Sequence, residues 1–179
     1  MGFHHTALAT RDLQATHTFY TEAMGFELVK VIVAPTPEGG WAKHAFYEIS
    51  TDEFIAFWDL HDDKLPATWS PAISTGMGLP LWVNHLAFRA ADVDDLAVRR
   101  RRWTAHGLVV YEIDHGWCRS IYTVDPNGIF VEFCTTTAAL TAADRMHALR
   151  LLNDPKPPFE GVPDVIVHTP SEARAAAAR

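Results

Sequence analysis

Apolar and polar residues alternate with a period of two over much of residues 3–136, and stretches of helical spacing interrupt the alternation. Two long runs share one plan. "FHHTALATRDLQATHTFYTEAMGFELV" begins at Phe3 and "VNHLAFRAADVDDLAVRRRRWTAHGLVV" at Val83; aligned, His5 falls on His85 and Ala7 on Ala87. Each run predicts a short strand, a helix and a second strand. Asp12 and Asp92 stand where N-caps belong, and Gly25 and Gly107 stand where the helices end. "KHAFYEIS" and "EFIAFWDL" complete the first half with two more strands; "CRSIYTV" and "IFVEFCT" complete the second. The pattern therefore predicts an α+β protein of two βαβββ modules, at about residues 1–60 and 80–136, within a body spanning 1–139. The Pro-, Gly- and Ser-rich segment His61–Pro80 joins them.

Residues 140–179 form a separate piece. Thr141 with Asp144 resembles a capping box, and Leu140, Met146, Leu149, Leu151 and Leu152 mark an apolar stripe on a helix. "NDPKPPFEGVP" predicts an extended arm, and "SEARAAAAR" a frayed end. The tail is expected to dock on the body or on a neighbouring subunit.

One carboxylate breaks the pattern. In "DPNGIFVEFC" (Asp125–Cys134) a turn signal launches an apolar run with Glu132 in its middle. As a strand, Ile129, Val131 and Phe133 share one face, and Phe130, Glu132 and Cys134 the other. Both faces are apolar, so Glu132 is predicted to leave water and to need compensation. The repeat supplies candidates in His5 and His85, equivalent positions of equivalent first strands. Two imidazoles and one carboxylate make the facial donor set that leaves positions open on a divalent metal, most characteristically Fe(II). The alternative is two hydrogen-bonded strand histidines and a Glu132 paired with an arginine.

Composition narrows the classes. With 179 residues, 48% of them hydrophobic, the chain is long enough for one sizeable core or two small ones. A net charge of -7 argues against non-specific nucleic-acid or anionic-membrane binding. No apolar stretch approaches a membrane span, "MGFHHTALA" lacks a signal peptide's basic start, and Cys118 and Cys134 lack metal-type spacing. A cytoplasmic protein with reduced thiols is expected.

"HHTALATRDLQATHTFYTEAMGFEL", "NHLAFRAADVDDL" and "DPNGIFVEF" together resemble the vicinal oxygen chelate superfamily, which includes glyoxalase I, bleomycin-resistance proteins, methylmalonyl-CoA epimerases and extradiol dioxygenases. The resemblance covers about residues 3–136. It implies paired βαβββ modules forming a curved mixed sheet around a metal, with His5, His85 and Glu132 as ligands, and a homodimer. His4 is expected on the face opposite His5.

Departures from the family pattern direct the choice of chemistry. Aligning "EFIAFWDL" with "IFVEFCTT" places Ala56 where Glu132 sits, so the fourth protein ligand usual in glyoxalase- and epimerase-like members is missing unless Glu48 or Asp59 supplies it through another register. Three ligands resemble the extradiol dioxygenase arrangement. In those enzymes a tyrosine contacts the bound substrate and a histidine assists; Tyr122 and His115 match these places, His115 with different spacing. The family's further acid–base histidine has no clear match in the first module, where His44 and His61 correspond only loosely. The implied function is a metal-dependent, extradiol-type dioxygenase acting on a small aromatic or vicinal-oxygen substrate, with Fe(II) first and Mn(II), Zn(II) or Ni(II) as other metals. A glyoxalase-like lyase, isomerase or epimerase is the alternative, and a non-catalytic small-molecule binding protein of the bleomycin-resistance type the second. Phe54, Ala56 and Trp58 alternate onto one strand face, and Trp82 and Trp117 flank the ligand segments, as an apolar substrate would require or as core would explain. "RRRR" at Arg99–Arg102 points all around a helix axis and is expected to be a solvated face with one stem lying on the body.

Overall fold

The computed structural model describes residues 2–159 and 161–170, so the segment "SEARAAAAR" lies outside the described residues. In chain order the elements are β1 (His5–Thr10), α1 (Leu13–Thr18), a single π-helical turn (Phe19–Ala23), β2 (Glu27–Pro35), β3 (Trp41–Ser50), β4 (Glu53–His61), a 3-10 turn (Thr75–Met77), β5 (His85–Arg89), α2 (Val93–Ala105), β6 (Val110–Asp114), β7 (Cys118–Val124), β8 (Phe130–Thr136), α3 (Ala142–Asn153) and β9 (Val165–His168). A four-stranded sheet runs β1-β4-β3-β2 and a five-stranded sheet β5-β8-β7-β6-β9. Both halves thus lay down their strands in the same order, as the repeat predicts. The first sheet is mixed: β1 pairs parallel with β4, while β4, β3 and β2 are antiparallel. The chain divides into two compact units, one of residues 2–86 with Thr123–Val131, the other of Ala87–Tyr122 with the described residues from Glu132 onward.

In the first unit Asp12 caps α1, its side chain accepting from the Ala15 N–H at 2.8 Å. The helix loosens into the π turn, where the Met24 N–H donates to the Phe19 carbonyl, and ends at Gly25 with φ 82°. Tyr20, Met24, Tyr47, Ile55 and Phe57 are fully buried together. The "DPNG" turn is bolted to this layer by a second buried carboxylate. Asp125 accepts from the backbone N–H groups of Asn127 (2.9 Å) and Ile129 (2.8 Å), the Asn127 amide (3.0 Å) and the Tyr20 hydroxyl (3.1 Å). Burial pushes the Asp125 carboxyl above its ordinary value although these bonds pull it down. Its role is structural, the one the turn signal implies.

In the second unit Asp92 caps α2 through the Asp95 N–H at 2.8 Å, and Gly107 takes φ 81° just past its end. Leu96, Trp103, Phe88, Val110, Ile121 and Phe133 form the core. The four arginines separate by direction. Arg99 bonds Asp95 at 3.0 Å with its guanidinium 4.0 Å over the Phe133 ring, Arg100 bonds Glu112 at 2.6 Å, and Arg101 and Arg102 are exposed. Two stems rather than one lie on the body.

The two parts of the tail differ. The capping box of Thr141 and Asp144 is present, yet α3 buries no residue, and Leu149 and Leu152 are 61% and 80% exposed. The stripe therefore does not pack on the chain's own described residues. Beyond the arm, "VIVH" forms β9, a strand that the sequence pattern does not assign. It pairs antiparallel with β6, Val110 opposite His168 and Ile113 opposite Val165. His168 Nε2–H donates to Glu112 at 2.9 Å, so Glu112 holds both Arg100 and the last residue of β9.

Candidate functional site

The β7–β8 hairpin carries the chemistry of the second unit. Its turn is closed by the Asp125 N–H donating to the Ile129 carbonyl, and strand alternation then puts Cys118, Ser120 and Tyr122 on one face of β7. Glu132 is 5% exposed, the buried carboxylate that the pattern of the run predicted. Its partner within the unit is Tyr122, which hydrogen-bonds it. Tyr122 in turn lies 3.0 Å from His115 Nε2 through its hydroxyl. Burial pushes the Tyr122 hydroxyl well above its ordinary value; Ser120 opposes this, and the charge and hydrogen bond of Glu132 add to it. Tyr122 is therefore a neutral phenol with one proton to give. The hydrogen bond to Glu132 raises the Tyr122 hydroxyl, as holding its proton against a carboxylate does, so Tyr122 donates to Glu132 and its oxygen is left to meet His115 Nε2. The result is a chain of polar groups from an exposed imidazole to a buried carboxylate. Cys118 and Cys134 are free thiols beside it, Cys118 pushed up to about 11 by burial and by Cys134. Cys118 is not a reactive thiolate on this account.

The first unit holds the two histidines. His85 opens β5, and its Nδ1 lies 3.0 Å from the Trp82 carbonyl oxygen. A carbonyl only accepts, so Nδ1 carries the proton and Nε2 is the ring's lone-pair nitrogen, the tautomer that a metal-binding histidine adopts. His5 opens β1 opposite Phe54 of β4. His4 is not on the opposite face, as strand alternation predicted: it precedes β1, and its Nδ1 meets His5 Nδ1 at 2.8 Å. Alternation applies only once the chain is in the strand. Ala56 is fully buried, opposite Ala7 of β1 and Phe46 of β3, while Asp59 is engaged by His61 at 2.9 Å and by Lys43 at 3.8 Å. Trp82 and Trp117 are largely exposed.

In donor type, two imidazoles and a carboxylate, His5, His85 and Glu132 suit a divalent ion, although only Glu132 is buried and both histidines are exposed. Among the described residues, however, no three His, Cys, Asp or Glu side chains stand close enough to hold one. A depression of about 380 Å³ lies elsewhere, at Ala87–Ala91 and Cys134–Thr136, and contains none of the candidate residues.

Residues 2–133 match the family model of the Glyoxalase/Bleomycin resistance protein/Dioxygenase superfamily, and the chain belongs to that superfamily. Solved structures of the same fold include a glyoxylase/bleomycin resistance protein/dioxygenase domain from Frankia sp. EAN1pec, with 18% identity and TM-score 0.56 over 76% of this chain and 98% of that one. A genomically encoded fosfomycin resistance protein from Listeria monocytogenes has 20% identity and TM-score 0.51 over 81% and 98%. An antibiotic binding protein from Streptomyces sp. CB03234 has 20% identity and TM-score 0.51 over 76% and 97%. No curated protein sequence matches the chain. The superfamily contains many enzymes as well as non-catalytic members, its proteins bind small molecules, commonly bind divalent metals and often dimerise. No helix among the described residues is long and apolar enough to cross a membrane.

Proposed function

We propose that this protein is a metal-dependent enzyme of the superfamily, an extradiol-type dioxygenase acting on a small aromatic or vicinal-oxygen substrate in the cytoplasm. The observation that carries it is the chain His115–Tyr122–Glu132, which links an exposed imidazole to a buried carboxylate. His5, His85 and Glu132 would hold the ion, Fe(II) first. Bound there, the ion would supply positions for two adjacent substrate oxygens and for dioxygen. Ala56, unable to ligate, supports that openness. Tyr122, held neutral, would give its hydrogen bond to a substrate oxygen, and the exposed His115 would pass the proton to solvent.

The same proton chain suits a lyase, isomerase or epimerase that moves a proton without oxygen, and this is the second reading. Protein purified without added metal, analysed for metal content and then loaded anaerobically with Fe(II), separates the two. Oxygen uptake with catechols is the expected result. Turnover of a methylglyoxal–thiol adduct without oxygen uptake would establish the second reading instead. Binding of small molecules without turnover of either kind would make the protein a non-catalytic member.

A further inference from the structure

The chain has two cysteines, and the second unit brings both to one place. At the closed end of the β7–β8 hairpin the Asp125 N–H donates to the Ile129 carbonyl, and at its open end the Thr137 N–H donates to the Trp117 carbonyl, each at 2.9 Å. Both bonds set the same register, with Ser120 opposite Cys134 and Cys118 opposite Thr136. Cys118 and Cys134 are therefore diagonal neighbours on one face of the sheet, and the Cys118 thiol hydrogen-bonds Cys134.

The two thiols differ in access. Cys118 is 4% exposed, whereas Cys134 is half-buried and lines the depression of about 380 Å³ beside Ala87–Ala91. A small solute in that depression meets Cys134 first. One thiol reached from solvent with a second in contact behind it is the arrangement of an oxidisable cysteine and its resolving partner. Contact offsets the protonated state of Cys118: its sulfur is already in reach, and its proton can leave with the departing oxygen. Diagonal neighbours in a sheet stand about 7–8 Å apart, past the roughly 4.4–6.8 Å that the Cα atoms of a relaxed disulfide span. A bridge must therefore draw β7 toward β8, which is easiest where Cys118 sits, at the first residue of β7. A disulfide strained in this way is readily reduced again.

We infer that Cys118 and Cys134 are a reversible modification site, a thiol pair that a hydroperoxide converts into a disulfide across the β7–β8 hairpin. The Cys134 sulfur attacks one oxygen of the hydroperoxide, the O–O bond breaks, and Cys134 becomes a sulfenic acid; its proton leaves with the other oxygen as water or alcohol. The Cys118 sulfur then attacks the Cys134 sulfur, the S–O bond breaks, and the departing hydroxide takes the Cys118 proton as water. The two sulfurs lose two electrons and the hydroperoxide gains them. In a reducing compartment the pair rests as thiols and bridges only under oxidant. The inference is independent of the proposed metal and of its chemistry.

Hydrogen peroxide is the probe, added to the full-length protein as purified and again with a chelator present. Alkylation after unfolding should find two thiols before exposure and none after it, and peptide mapping should join Cys118 to Cys134 within one chain. Glutathione should restore both thiols. In Cys118→Ser the oxidation should stop at Cys134 as a sulfenic acid that dimedone traps; in Cys134→Ser the Cys118 thiol should survive the same exposure. The wild-type map decides the matter even if either variant does not fold. Several results overturn the inference: thiols that persist, a bridge between two chains, oxidation of Cys134 to sulfinic acid without a bridge, a bridge that glutathione leaves closed, or bridging that the chelator abolishes.

Discussion

Tyr122 has one proton and two partners, and its burial keeps that proton in place. Removing the hydroxyl should leave the ion's ligands intact and take away a hydrogen bond aimed at developing charge. Tyr122→Phe is accordingly expected to lower kcat on the order of 10²-fold with metal stoichiometry unchanged, as steady-state rates and metal analysis will show. Ala56 tests the complementary point. A glutamate at this fully buried position would be costly unless it ligates. Ala56→Glu is therefore expected to tighten metal binding and abolish oxygen uptake. Undiminished oxygen consumption would count against the dioxygenase assignment.

At the scale of elements, local signals behave as helix and turn chemistry requires. Asp92→Ala removes the acceptor for the Asp95 N–H and should destabilise the protein by about 1 kcal/mol in denaturant titration. The β9 strand depends on more distant groups. Burial alone would raise the Glu112 carboxyl, but its bonds to Arg100 and His168 outweigh that and hold it below its ordinary value of 4.5. A depressed folded value means that the stabilisation is complete above pH 4.5 and is lost as pH falls through the lower, folded value. Amide exchange in β9 should therefore stay slow from neutral pH down to about 4.5, after correction for intrinsic exchange, and accelerate below it. In Glu112→Gln the step should vanish and β9 should exchange faster at every pH.

For the whole molecule the open question is what covers α3. Its Met146, Leu149 and Leu152 are exposed, and its capping box shows a helix specified in its own right. Since α3 buries no residue against the chain's described residues, a second copy is the occupant consistent with the superfamily's habit of dimerising. Light scattering should show a dimer, and Leu149→Glu with Leu152→Glu should shift it to monomer while leaving the α1 and α2 units folded. A wild-type monomer, or an unshifted double variant, would remove α3 from the interface.

The βαβββ repeat, both helix caps, the "DPNG" turn and the burial of Glu132 were legible in the sequence because each follows from periodicity or from groups within a few residues of one another. The candidate donors His5, His85 and Glu132 were named by the same repeat, and the superfamily by the motifs around them. Tertiary structure alone decided what depends on partners far apart in the chain. Asp125 anchors to Tyr20 across 105 positions, and His168 finds Glu112 across 56. Neither pairing leaves a period in the sequence. The same holds for the tautomer of His85, set by the Trp82 carbonyl, and for the unmet nitrogen of His44, which shows only once the strands beside it are in register. Pattern reports which face a residue occupies; only the assembled neighbours determine whether its polar atoms are satisfied.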